Sequence, residues 1–182
     1  MRKTLAALAI VAAVITSCGG ESNDSSDYAV RVDLLQDAVQ AVQEWNAKMD
    51  PGLIADGEKE LRFFEINATS ELINLYVASV DQTAAFAFIY DTKNGLTGPD
   101  SPKTASGATF KWSEVDSDIG KSKVYETVVA ELPRSTISRF VIGRDPEFDK
   151  LTYRVIMVSD QGGEFAAYVE PSGKIIGGDL LG

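Results

Sequence analysis

Between residues 32 and 45 apolar side chains return every three or four positions. Val32, Leu35, Val39, Val42 and Trp45 share one face of a 3.6-residue repeat, and Gln36, Asp37, Gln40 and Gln43 take the opposite one. The pattern predicts an amphipathic helix that stops at Asp50-Pro51-Gly52. A second helix is expected around Tyr125, Val128, Val129 and Leu132, ended by Pro133. Beyond each helix the chain turns to β-branched and aromatic runs of strand length. These are 61–67, 72–79 and 80–95 in the first half, and 138–144, 151–159 and 159–174 in the second.

The last block of each half aligns with the other at a constant offset. Asp81 falls on Asp160, Gln82 on Gln161, Phe86 on Phe165, Ala87 on Ala166 and Asp91 on Glu170, with turns Lys93-Asn94-Gly95 and Pro171-Ser172-Gly173 closing both. Element order and alignment together predict an α+β fold of two α-β-β-β repeats, each an antiparallel sheet covered by a helix on one face. The expected repeats are 28–96 and 111–182, joined by a Pro-, Gly- and Ser-rich linker at 97–110.

Alternation then assigns faces. With Phe86, Phe88, Tyr90, Phe165, Ala167 and Val169 turned toward the helices, Ile89 and Tyr168 point the other way. On the adjoining strands Leu75, Val77, Arg154 and Ile156 are expected beside them. Leu75, Ile89, Arg154, Ile156 and Tyr168 are therefore the candidate binding residues. A surface that mixes Tyr, Arg and aliphatics has interface composition rather than that of a solvated sheet face. The competing expectation is that this face packs against the other half.

The amino terminus has a different pattern. Arg2 and Lys3 precede an apolar stretch from Leu5 to Ile15, which is too short for a permanent membrane span and reads as a signal peptide over residues 1–17. Ile15-Thr16-Ser17-Cys18 resembles a bacterial lipobox, which implies cleavage before Cys18 and attachment of lipid, palmitate among its acyl chains, to the thiol. Several acyl chains on one residue meet the requirement of two or more signals for stable anchoring. Residues 18–27 have little to pack and read as a flexible tether. The expected location is extracytoplasmic, lipid-anchored to the cell membrane, or to the outer membrane in a bacterium with two.

Charge and composition narrow the chemistry. The formal charge is −10, and removal of the signal takes away two basic residues and no acidic one, which makes the anchored chain more negative still. Nucleic acid is an unfavourable partner for such a surface. Cys18 is the one cysteine and histidine is absent, so no Ser-His or Cys-His pair, His-ligated metal or disulfide can be built from this chain. Glu44, Glu58, Glu60, Glu65, Glu126, Glu131 and Glu147 read as solvated charges rather than as a catalytic pair. Asp116 and Asp118 open like a calcium loop, but Gly120, Lys121 and Thr127 occupy places where ligands or the turn glycine belong. No enzyme activity, metal or cofactor is expected.

The stretch YRVIMVSDQGGEFAAYVEPSGKII at 153–176 resembles the end of a PepSY-type module, with a strand, a glycine turn, a second strand and a terminal Gly-Lys-hydrophobic step. Tandem copies are similar to the fold of the β-lactamase-inhibitor protein, which implies a generic binding or inhibitory role. The expected function is a non-catalytic lipoprotein that binds an envelope protein or peptide through its sheet face, as an inhibitor or assembly factor. The alternative is a carrier or sensor of a lipid or other apolar small molecule held between sheet and helices.

Overall fold

The computed structural model describes residues 30–50, 52–119, 127–128, 130–132, 134–145 and 150–181. The signal, Cys18 and the tether lie outside them. A 3₁₀ turn at Val32–Leu34 leads into helix α1, Leu35–Asn46. It buries Leu35, Ala38, Val39 and Val42, the face set by the 3.6-residue repeat. The helix ends four residues before the expected stop because Asn46 turns inward, where its side-chain oxygen accepts the Leu53 N–H at 2.5 Å. Gly52 fits against that amide closely enough that a Cβ there would meet Asn46 Oδ1 at 3.0 Å.

Among the described residues ten strands follow: β1 (Arg62–Ala68), β2 (Ile73–Ala78), β3 (Ala84–Asp91), β4 (Gly95–Thr97), β5 (Lys103–Thr104), β6 (Phe110–Lys111), β7 (Ser135–Asp145), β8 (Lys150–Ser159), β9 (Glu164–Val169) and β10 (Ile175–Leu181). They form one antiparallel sheet in the order β10-β9-β8-β7-β1-β2-β3-β4, with β5 added to β3 and β6 to β1. This corrects the expected architecture. Among the described residues the chain builds a single large sheet with one short continuous helix, not two α-β-β-β repeats each under its own helix.

Two features of the chain produce the difference. Residues 65–68 of β1 pair with 140–143 of β7, which welds the two strand sets through backbone hydrogen bonds between distant segments. The stretch read as a linker instead satisfies the edge of β3: Asp100 N–H donates to the Ala87 carbonyl at 3.1 Å and Ala105 N–H to that of Thr83 at 2.9 Å. Gly98 makes this approach possible, since its φ is +112° and a Cβ would stand 2.8 Å from the Ala87 carbonyl oxygen. Of the second expected helix, Tyr125, Val129 and Pro133 lie outside the described residues. Val128 is buried and Leu132 packs on the same core.

One sheet face carries that core. Helix α1 lies against β2, β3 and β4, with Trp45 meeting Phe88 edge-on at 4.9 Å between ring centroids. Val115, Ile119 and Val128 join the cluster, and Asp116 N–H donates to the hydroxyl of the buried Tyr153 at 3.2 Å. Trp112, in a 3₁₀ turn at Trp112–Glu114, donates its indole N–H to Gln36 of α1 at 2.9 Å and ties that segment to the helix.

At the rim, Glu58 accepts from Lys111 and, at 2.9 Å, from Arg62. The Lys111 contact first and the Arg62 contact second hold its carboxyl below the usual 4.5. A carboxylate whose folded value is depressed stabilises the fold above its ordinary value and loses that contribution as pH falls through the folded one. Thermal melts of the parent and Glu58→Gln are therefore expected to differ by a small margin at about pH 6 and to converge as pH falls below the ordinary carboxylate range. A gap that widened on acidification would contradict this role for Glu58.

Candidate binding face

The opposite face of the sheet is built in transverse rows, set by cross-strand register. One row runs Ile89, Asn74, Asn67, Val141, Arg154, Tyr168 across β3, β2, β1, β7, β8 and β9. The next runs Ala87, Tyr76, Glu65, Gly143, Thr152, and a third Arg139, Ile156, Ala166, Asp179. Period-two alternation places all of these side chains away from α1.

A polar chain crosses the centre. Asn74 Nδ2 donates to Asn67 Oδ1 at 2.8 Å, Asn67 Nδ2 to Glu65 Oε1 at 2.9 Å, and Arg154 to Glu65 Oε2 at 3.2 Å. On one side Val141, Ile156 and Ala166 form a small apolar cluster against which Tyr168 packs. The Tyr168 hydroxyl donates to Asp179 at 2.9 Å, and partial burial together with that bond pushes its phenol above 10.0. On the other side Tyr76 and Ile89 stand exposed, at 36% and 40%.

Two depressions meet at Phe64 and Glu65. One, of about 110 Å³, is polar, with Gly143, Asp145, Thr152 and Arg154 on its walls. The other, of about 280 Å³, is more apolar and is bounded by Tyr76, Ala85, Ala105 and Ser106. Phe64 reaches this face because the β1–β2 register shifts between Phe63 and Glu65. That bulge puts two successive side chains on one side.

Of the candidate binding residues, Ile89, Arg154 and Tyr168 share a row, and Ile156 stands in the adjacent one. Leu75 is not among them: it is fully buried on the core face, opposite Ile66 and Phe88. Val77 is likewise buried there, opposite Phe63 and Phe86. Strand β2 is apolar at most positions, so alternation within it does not set its parity, and Asn74 and Tyr76 are the side chains that face outward. Phe64, Glu65 and Tyr76 are the additions that the structure makes. Their signal in the chain was Phe63-Phe64-Glu65-Ile66, where an inward Phe63 and an inward Ile66 require one residue too many between them.

Among the described residues no three His, Cys, Asp or Glu side chains converge as metal ligands, and no helix is long and apolar enough to cross a membrane. No protein-family model matches the chain, so the likeness of 153–176 to a PepSY-type module has no family match behind it. No curated protein matches either. Among solved structures, a candidate lipoprotein from Clostridium difficile 630 is similar over 86% of this chain and 96% of its own, at 9% identity and a TM-score of 0.47. Resemblance of that size carries no function across.

Proposed function

We propose that this chain is a lipid-anchored extracytoplasmic binding protein whose open sheet face takes an envelope protein or an extended peptide. The observation that carries the reading is the asymmetry of the sheet. One face is covered by α1 and by Trp112, Val115, Ile119, Val128 and Leu132, while the other presents Tyr76, Ile89 and Phe64 beside the Glu65–Arg154 pair. Exposed aromatic and Arg side chains around a partly apolar centre are what interface hot spots are made of. The space that lipid carriage would use, between α1 and the sheet, is filled by Leu35, Val39, Val42, Leu75 and Phe88. The lipobox-like Ile15-Thr16-Ser17-Cys18 supports the anchor.

Site-specific photo-cross-linking in the host bacterium tests both parts. A photoreactive residue at Tyr76 or Ile89 is expected to capture the same species, and one at Asp37 on the exposed side of α1 to miss it. Cys18→Ser is expected to move the chain out of the membrane fraction. Equal capture from the helix would overturn the face assignment, and continued membrane retention of Cys18→Ser would overturn the anchor.

A further inference from the structure

The two ends of the sheet are finished differently. Beside β3, the three-residue β4, the two-residue β5 and the 97–110 segment blunt the edge, in the manner by which natural sheets avoid pairing with other chains. At the other end β10 pairs with β9 on one side and, among the described residues, with nothing on the other. Ile175–Leu181 is free of Lys, Arg and Pro, and Leu180 is 88% exposed. A long, apolar, uncovered edge is a template for another strand.

The order of its residues selects which strand. Ile-Ile-Gly-Gly-Asp-Leu-Leu has an apolar pair at each end and small or polar residues between, so its pattern reads nearly the same in both directions. An antiparallel pair of two such strands about a two-fold axis at Gly178 sets Ile176 opposite Leu180 of the other copy, and the symmetric pair beside it. Asp179 then faces Gly177, so the two carboxylates are not opposed. A register two residues away loses the apolar pairs, and one centred on Asp179 places like charges together.

We infer that β10 is a self-association edge, through which two copies of this chain join their sheets into one. The β9–β10 register shift between Ile175 and Gly177 turns Ile175 to the face opposite that of Leu181, so these two do not pair and the core of the junction is residues 176–180. An interface of this length is small and its solution affinity low, on the order of 100 µM. Anchoring on a membrane would raise the effective concentration of copies. The inference concerns the sheet edge and is independent of what the open face binds.

The test uses the full chain carrying Cys18→Ser, which removes both anchor and native thiol. Sedimentation equilibrium is expected to show a monomer–dimer equilibrium that Leu180→Lys weakens about tenfold, since the change removes two symmetric apolar pairs. In the same background, Ile176→Cys with Leu180→Cys under oxidised glutathione is expected to give a dimer whose interchain disulfide joins 176 to 180 on mass-spectrometric mapping. A chain that stays monomeric up to millimolar concentration without an interchain link, or a dimer indifferent to Leu180→Lys, would overturn the inference.

Discussion

Phe88→Ala is expected to cost about 3–5 kcal/mol of folding stability, the usual loss when a fully enclosed Phe is truncated in a core that cannot collapse around the void. Phe88 lies opposite Leu75 on β2 and meets the Trp45 ring edge-on, so one truncation loosens the helix, the sheet and their contact together. Tyr76→Ala provides the contrast. It removes a ring of comparable size from the open face next door, and an exposed side chain of this kind is worth about 0.5 kcal/mol or less to the fold. Urea unfolding of both variants measures the difference directly. Similar losses would mean that the faces of β2 and β3 had been assigned the wrong way round.

Val141→Pro is expected to be at least as disruptive, by a different route. Strand β7 is paired on both sides, with Val141 opposite Asn67 on β1 and Arg154 on β8. Proline removes a backbone donor and cannot sit in the middle of a sheet without breaking a ladder, a cost of about 3 kcal/mol or more. Val141→Ala separates the side chain's part, since Val141 is buried in the small apolar cluster of the open face and its truncation is expected to cost about 1–2 kcal/mol. Hydrogen exchange then reports where the damage falls. Protection in β1 and β8 is expected to drop before that in β2 and β3, because the β1–β7 ladder joins the two strand sets.

The division between chain and fold can be drawn residue by residue. Helix α1 was legible because its apolar spacing repeats for more than three turns, and the inward set Phe86, Phe88 and Tyr90 because aromatic rings recur at every second position of β3. The same holds for Phe165, Ala167 and Val169 of β9, and for the outward Ile89, Arg154, Ile156 and Tyr168. The lipid anchor is an expectation that rests on Cys18 and its neighbours alone, which lie outside the described residues.

Leu75 was misplaced because Ile73, Leu75, Tyr76 and Val77 are apolar on both parities, and only pairing with Ile66 and Phe88 decides which of them enters the core. The candidate face itself required the fold: Glu65 and Arg154 are far apart in the chain and meet only because β1 pairs with β7. The single sheet, with the Pro- and Gly-rich 97–110 segment closing one edge and β10 unpaired among the described residues at the other, was likewise beyond reach of periodicity. Alternation specifies a side chain's face relative to its own strand. Which strands become neighbours is set by distant backbone groups that must all find partners, and that accounting closes only in three dimensions.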